Sequence, residues 1–425
     1  MSGMPIPKEP KPQRVRDPVH DLIEFSTGDF DQTCWRIIQS RPFQRLRRIK
    51  QLGFSELVYP GATHSRFAHS LGVFHTARRL ASVIEGIRGD GFDTLRAREA
   101  EAAALVHDLG HGPFSHAFED VFKALGLKQH ESISSRLIEE TEIRGELESF
   151  SPGFSAKVSK IVSDKVPEDI YAGIVSSQFD ADRLDYMRRD RLMTGTQGSA
   201  IDFEWIMANL EVGRVNIGQD ETKLTQVETL VVGKKATLAT EAYVLGLFHL
   251  YPTVYFHKTT RGAEKLLSAL LTRTFEIILE RSTEKTGLTT QHPLVRCVQA
   301  PEDLEVFCSL DDTVIWGAMP LLAEAEDICI RELAQRLLYR RLFKAIDVTA
   351  LLQTRFADTD SEEERDEKRR TAEAQIRARL GESGLLESSD SCPKVLHDVV
   401  QRDPYRTGRG DDAALDMIYA VESMP

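Results

Sequence analysis

The chain has 425 residues, 41% of them hydrophobic and 28% charged, with a formal net charge of −12. That length holds one large core with an appendage or two to three average domains, and the composition is that of a soluble globular protein. The acidic balance argues against a general polyanion-binding surface, so nucleic acid is not the favoured partner. No run approaches the roughly 18 apolar residues of a membrane helix, and Cys34, Cys297, Cys308, Cys329 and Cys392 are scattered without a C-x-x-C pair. These features predict a soluble, cytoplasmic chain with reduced thiols and no membrane partner.

In chain order, 1–13 reads as a flexible, proline-rich tail, and Pro18 to Phe25 as a short turn or strand. Helices are predicted over Phe30–Lys50, Arg66–Ile87, Arg96–Asp108, Ser115–Leu125, His130–Glu140, Gly153–Val162 and Asp180–Arg191. In the Arg66 helix, Phe67, Leu71, Phe74, Ala81 and Ile84 form the apolar stripe, and His69 lies off it beside Arg66. The alternation around Arg214–Ile217, the polar turn Gly218–Glu221 and the run Val227–Val232 predict an antiparallel hairpin. A long helix follows from Ala236 to Arg281, interrupted near Pro252, then a helix over Leu321–Lys344 and an exposed, mixed-charge helix over Asp358–Leu380. Val395–Val400 and Ala414–Ala420 read as strands of a small C-terminal α+β element. Asp403–Gly410 reads as a solvated loop carrying Arg406 and Arg409. The expected divisions are the tail, a core over 14–350 with a helical extension, and 351–425.

The most informative run is Ala102 to His116, where an apolar helix ends in His107-Asp108-Leu109-Gly110-His111-Gly112-Pro113-Phe114-Ser115-His116. Adjacent residues leave a helix about 100° apart, so His107 and Asp108 can bracket one ion from a single turn. Imidazole nitrogen with carboxylate oxygen suits a divalent transition ion. Eight of the 12 histidines lie between His20 and His130, which concentrates ligand chemistry in one stretch. Further donors come from His69 upstream and from the helix that carries Asp182, Tyr186 and Asp190 at i, i+4 and i+8. Asp185, Arg188 and Arg189 on that helix read as a solvated, salt-bridged face, His75 as a packed or surface imidazole, and His292 and His397 as surface residues.

Arg16-Asp17-Pro18-Val19-His20, the stretch Phe43 to Gly53, the Arg66–Val73 segment, the His107–His116 block and Asp180–Asp190 together resemble the HD-domain metal-dependent phosphohydrolases. Within these the likeness is to the SAMHD-like deoxynucleoside triphosphate triphosphohydrolase branch, from about Val15 to Lys265. The resemblance implies a mainly α fold: an HD-domain helical bundle core with a small antiparallel hairpin and a small α+β C-terminal element. It implies metal ligands His69, His107, Asp108 and Asp182, holding Fe, Zn, Mn or Mg, with Mg on the nucleotide phosphates. It places His111, His116, Glu119 and His130 in catalysis, and Gln51, Arg66, Asp180, Arg183, Tyr186, Asp190 and Tyr255 on the substrate. His257 and Lys258 also match the pattern.

Gln44 and Arg47 match residues that hold an activating nucleotide in part of the family. The implied reaction is dNTP to deoxynucleoside plus triphosphate, with imidazole as general acid. The implied assembly is a homo-oligomer, whether dimer, tetramer or hexamer. The chain departs from the pattern at Leu247, where relatives carry a phosphate-binding arginine, at Gln39, where an acid is expected, and at Asp21, where glycine is usual. Leu247 keeps open a nuclease or other phosphoesterase on the same metal site. A non-catalytic nucleotide sensor or scaffold is the third class, and the complete ligand set speaks against it.

Overall fold

In the computed structural model the described residues are 11–124, 130–164, 167–177, 179–217, 225–357, 361–385, 392–399 and 419–420. Contacts divide the chain into two units. The first comprises Met1–Ser115, Phe122–Tyr255 and Arg402–Pro425, and the second His116–Val121 and Phe256–Gln401. Both are mainly helical.

The first unit opens with an antiparallel hairpin, β1 (Gln13–Asp17) and β2 (Asp21–Phe25), in which Asp17 pairs with Asp21. Asp21 has φ +59°, which accounts for the glycine usual there. Aspartate is among the side chains that tolerate this left-handed geometry. Helices α1 (Asp29–Gln39) and α2 (Arg41–Arg45) follow. The single helix expected over Phe30–Lys50 is therefore broken. Ser40 is extended, and Pro42 in the first turn of α2 has no N–H with which to continue the α1 ladder.

Helix α3 (Arg66–Arg88) starts at Ser65, whose hydroxyl accepts from Ala68 N–H, and α4 (Thr94–Val106) starts at Asp93, which accepts from Arg96 N–H. The expected α3 stripe of Phe67, Leu71, Phe74, Ala81 and Ile84 is buried. Each large member contributes about 1.5–3 kcal/mol by leaving water. Small side chains bury α4 on nearly all sides, since Ala100, Ala102, Ala103 and Ala104 are wholly enclosed. Helix α5 (His116–Ala124) begins in the second unit and is followed by α6 (His130–Glu140), α7 (Glu142–Phe150) and α8 (Phe154–Ser163). Helix α7, capped by Thr141, is absent from the sequence expectation. Helix α9 (Ala181–Thr194) begins at the Asp180 cap and ends at Gly195, with φ +74°.

Helix α3 packs against both α4 and α9. Gly72 permits the second contact: a Cβ there would run into the Asp185 carboxylate and the Arg189 guanidinium. Short α10 (Phe203–Ala208) leads to the hairpin β3 (Leu210–Ile217) and β4 (Thr225–Val232), whose expected turn at Gly218–Glu221 lies outside the described residues. Strand β5 (Tyr419–Ala420) adds in parallel to β4 at Val231 and Val232. Helix α11 (Thr237–Leu250) runs into a π turn over Tyr251–Tyr255 that contains Pro252.

In the second unit, α12 (Lys258–Leu279) packs on α13 (Pro293–Gln299), which in turn meets α14 (Leu304–Phe307) and α15 (Asp312–Leu322). Helix α16 (Ile328–Leu338) packs on α12 and α15. The helix expected over Leu321–Lys344 is thus confined to α16, because Asp327 caps a new start and the chain leaves helical geometry after Leu338. Helices α17 (Val348–Arg355) and α18 (Glu362–Glu382) pack on each other, and α18 is the exposed charged helix expected. Residues 395–399 form no strand, contrary to expectation: Lys394 and Val395 turn back to bond Leu385 O instead. The loop at Asp403–Gly410 and positions 1–10 lie outside the described residues. No helix among the described residues is long and apolar enough to cross a membrane.

Candidate metal centre

Helix α3, the end of α4 and the first turn of α9 bring His69, His107, Asp108 and Asp182 together. Ligand atoms of His69, His107 and Asp108 lie within 4.8 Å of one another. Asp182 Oδ1 reaches to 2.9 Å from His69 Nε2 and 3.9 Å from His107 Nε2. The outer ring nitrogens explain the arrangement. His69 Nδ1 donates to Asp185 Oδ2 at 2.8 Å, and His107 Nδ1 donates to Ala104 O at 2.9 Å. Both Nε2 atoms therefore carry their lone pairs inward. Among the described residues neither buried Nε2 makes a hydrogen bond of good geometry, and the atoms nearest them are carboxylate oxygens: Asp182 Oδ1 at 2.9 Å from His69 and Asp108 Oδ1 at 3.3 Å from His107. Two such imidazole nitrogens beside two carboxylates fit a divalent cation of the Zn, Fe or Mn kind.

Electrostatics point the same way. Burial disfavours charge on His69, yet the Asp182 and Asp185 carboxylates outweigh it and raise its pKa to about 10, a field that favours positive charge at this point. Burial also opposes ionisation of Asp108, but Arg66, His107 and His111 hold its carboxyl well below the usual range. Arg66 Nη1 donates to Asp108 Oδ2 at 2.6 Å, and its Nε and Nη2 donate to Ser115 Oγ. His111 Nε2 lies 3.2 Å from Asp108 Oδ1.

The support behind these groups contains residues the sequence reading missed. Asp185 is fully enclosed. Its Oδ1 accepts from His20 Nε2 at 2.6 Å and Arg189 Nη2 at 2.9 Å, and its Oδ2 from His69 Nδ1 and from Arg189 Nε, both at 2.8 Å. Arg189 also pairs with Asp17 at 2.8 Å, which ties the β1–β2 hairpin to α9. The solvated face expected at Asp185 and Arg189 is therefore a buried network. Arg45, 1% exposed, donates to Leu109 O at 3.1 Å and His111 O at 2.6 Å and fixes the turn after Asp108. An i, i+4 acid–arginine pair gives no sign of burial in a sequence; its proximity to Gly72 on another helix does.

At the start of α9, Asp180 caps the helix, accepting from Arg183 N–H at 2.7 Å and from its guanidinium at 2.6 Å. Burial raises the Asp180 carboxyl to about 6 against the opposing charge of Arg183. Asp190 accepts the Tyr255 hydroxyl at 2.7 Å and contacts His64 Nε2 at 2.9 Å, so it orients Tyr255. Tyr186 meets Tyr255 edge-on at 6.1 Å. Gln51 has a buried Oε1 without a hydrogen-bond partner among the described residues. Gln44 Oε1 accepts from Arg47 Nε at 2.9 Å, and the Arg47 guanidinium stands 3.5 Å over Phe67. Leu247 is buried. His116 and Glu119 open α5 and His130 opens α6; the side chains of His116 and His130 lie outside the described residues. His397 is exposed as expected, whereas His292 is half-buried and caps α13. His257 caps α12.

The HD domain family model matches residues 66–187, a span that contains all four clustered side chains. The uncharacterized protein YwfO of Bacillus subtilis is 34% identical over 336 residues, covering 78% of this chain and 71% of that protein. Deoxynucleoside triphosphate triphosphohydrolase SAMHD1 of Mus musculus is 30% identical over 371 residues, covering 77% of this chain and 53% of that protein. A crystal structure of a phosphohydrolase from Bacteroides thetaiotaomicron superposes with a TM-score of 0.65 at 29% identity, covering 82% of this chain and 84% of that one. With the His69, His107, Asp108 and Asp182 cluster inside the matched span, the chain belongs to the HD-domain phosphohydrolases and is related to the SAMHD1-like deoxynucleoside triphosphate triphosphohydrolases.

Proposed function

We propose that the chain hydrolyses deoxynucleoside triphosphates to deoxynucleoside and triphosphate, with His69, His107, Asp108 and Asp182 holding the divalent cation. The observation that carries this reading is the pair of buried, inward Nε2 atoms converging on two carboxylates, beside an arginine. The activity named for the mouse relative supports the substrate class. These residues would hold a divalent cation, whose chemistry when bound would be to polarise a phosphoryl oxygen and lower the pKa of water towards neutrality.

The chain's own groups do the rest. Arg66 keeps Asp108 ionised and aimed, and Asp185 keeps the His69 ring in its ligating tautomer. Arg183, locked by Asp180, offers charge to phosphate. The Tyr186–Tyr255 edge, set by Asp190, offers a wall and a hydroxyl to sugar and base, with Gln51 supplying an amide. His111, His116 and His130 are imidazoles suited to protonate the leaving oxygen, with Glu119 as a partner. Gln44 and Arg47 are proposed for an activating nucleotide. Hydrolysis of phosphodiesters or of less charged nucleotides is the second reading, and it draws on buried Leu247 where a cationic side chain would meet a triphosphate.

Incubation with dNTPs, NTPs, nucleoside monophosphates and short oligonucleotides across Mg, Mn, Fe and Zn tests the proposal. Triphosphate and deoxynucleoside are the expected products, lost in Asp108→Ala. Pyrophosphate or monophosphate release overturns the cleavage position, and cleaved oligonucleotides with intact dNTPs establish the second reading. We read the chain as cytoplasmic and homo-oligomeric. Leu238, Leu245 and Phe248 stand exposed on α11, and sedimentation velocity checks the assembly.

A further inference from the structure

Between β2, α3 and α10 lies a cavity of about 470 Å³, and none of its lining residues belongs to the metal cluster. Leu22, Val83 and Met207 supply an apolar wall; the polar wall carries His75, Arg78 and Arg79 together with two carboxylates, Glu204 and Glu24, the second of which is already paired with Arg14.

Aromatic faces pin the cationic groups of this region. Arg78 stands 4.3 Å over Phe74, Arg79 stands 4.8 Å over Phe203, and Arg188 stands 4.0 Å over the same Phe203 ring. Arg78 is already engaged by Asp31 and the Glu24 carbonyl. Arg79 is held differently. Its two terminal nitrogens donate to Glu204 at 2.8 and 2.7 Å, and the Glu204 side chain is 71% exposed against 32% for Arg79. The cation is anchored and its acid is loose. An exposed carboxylate held only by such a fork adds little stability and exchanges readily, whereas the fork itself matches a phosphate group. Arg188, which shares the Phe203 ring with Arg79 but does not line the cavity, adds to the local positive charge, and its buried Nη1 has no hydrogen-bond partner among the described residues. The His75 ring packs against His20 at 4.9 Å and, kept neutral by burial and by the neighbouring cations, leaves the region's positive charge to the arginines.

We propose that this cavity is a second ligand site, in which Arg79 exchanges Glu204 for the phosphate group of a nucleotide-sized ligand whose apolar part lies against Leu22, Val83 and Met207. The ligand is an effector rather than the reacting molecule, because the metal cluster lies outside the cavity. The region also touches the metal centre's support: Arg188 Nη2 donates to Val19 O at 3.1 Å, and the next residue, His20, contacts Asp185 behind His69.

The test titrates the full chain, with chelator present to prevent turnover, against dAMP and against inorganic phosphate by calorimetry. Arg79→Met is expected to raise the dissociation constant by about tenfold or more, and Glu204→Gln to lower it severalfold by removing the competing acid. Parallel responses for both probes identify the free anion as sufficient, and a response confined to dAMP identifies a nucleotide; either supports the site. Dissociation constants that neither substitution moves overturn it, whatever the fate of the dNTP assay. Should Arg79→Met fail to fold, Glu204→Gln at its exposed position decides alone.

Discussion

Replacing Asp185 by asparagine tests how the proposed metal centre is held. Each carboxylate oxygen accepts two donors, Oδ1 from His20 and Arg189 and Oδ2 from His69 and Arg189. Asparagine offers one acceptor oxygen and an amide nitrogen. In either orientation of the amide, that nitrogen faces two donors inside a fully enclosed site. Two charge-assisted bonds are lost, each contributing about 1.5–3 kcal/mol, and Arg189 keeps only Asp17 as its counter-charge. The variant should lose about 3–5 kcal/mol of stability in urea unfolding, the range for a broken buried pair. The His69 ring also loses the partner that sets its tautomer, so cation affinity should fall about 10- to 100-fold in a chelator-buffered titration. Arg14→Ala, which breaks an exposed pair with Glu24, should stay within about 0.5 kcal/mol of the parent. An Asp185→Asn protein that binds the cation as tightly as the parent would refute the reasoning, even if it were less stable.

Arg45→Met should cost about 1–3 kcal/mol for each buried carbonyl left without its donor, those of Leu109 and His111, and should depress turnover by loosening the Asp108 turn; urea unfolding and single-turnover rates check it. The pH dependence of stability should carry the mark of His75, whose folded pKa is lowered to about 4 by burial and by His20, Arg79, Arg78 and Arg188. Unfolded His75 takes a proton near its ordinary 6.5 while the folded ring stays neutral. Its contribution is thus fully present above 6.5 and is lost as pH falls towards 4. His75→Gln should flatten the stability profile between those limits, and an unchanged slope would contradict the assignment.

The four clustered side chains were legible because His107 and Asp108 are adjacent at the end of apolar α4, while His69 and Asp182 sit in helices, α3 and α9, whose periodicity could be read. The α3 stripe proved correct residue by residue. Breaks were harder to read. Phe30–Lys50 has helical periodicity on both sides of Pro42, and α16 stands apart from α15 only because Asp327 serves as a cap. The Asp17–Arg189–Asp185–His20 network was invisible for a different reason. Its members are 165 and 172 positions apart and of ordinary surface types, and only the close passage of α3 over α9 at Gly72 encloses them. Asp190 could be placed on the correct face, but its grip on Tyr255 depends on the chain returning 65 residues later.

The π turn at Tyr251–Tyr255 makes spacing, more than chemistry, the vulnerable property of that segment. A π turn carries one residue more than the α-helical turn it replaces, and that extra residue sets the azimuth at which the Tyr255 phenol leaves the backbone. Conservative replacements inside the turn keep that azimuth. Excising one residue would rotate the downstream backbone by about 100° and swing the phenol off Asp190, so the segment should drift in identity far more freely than in length.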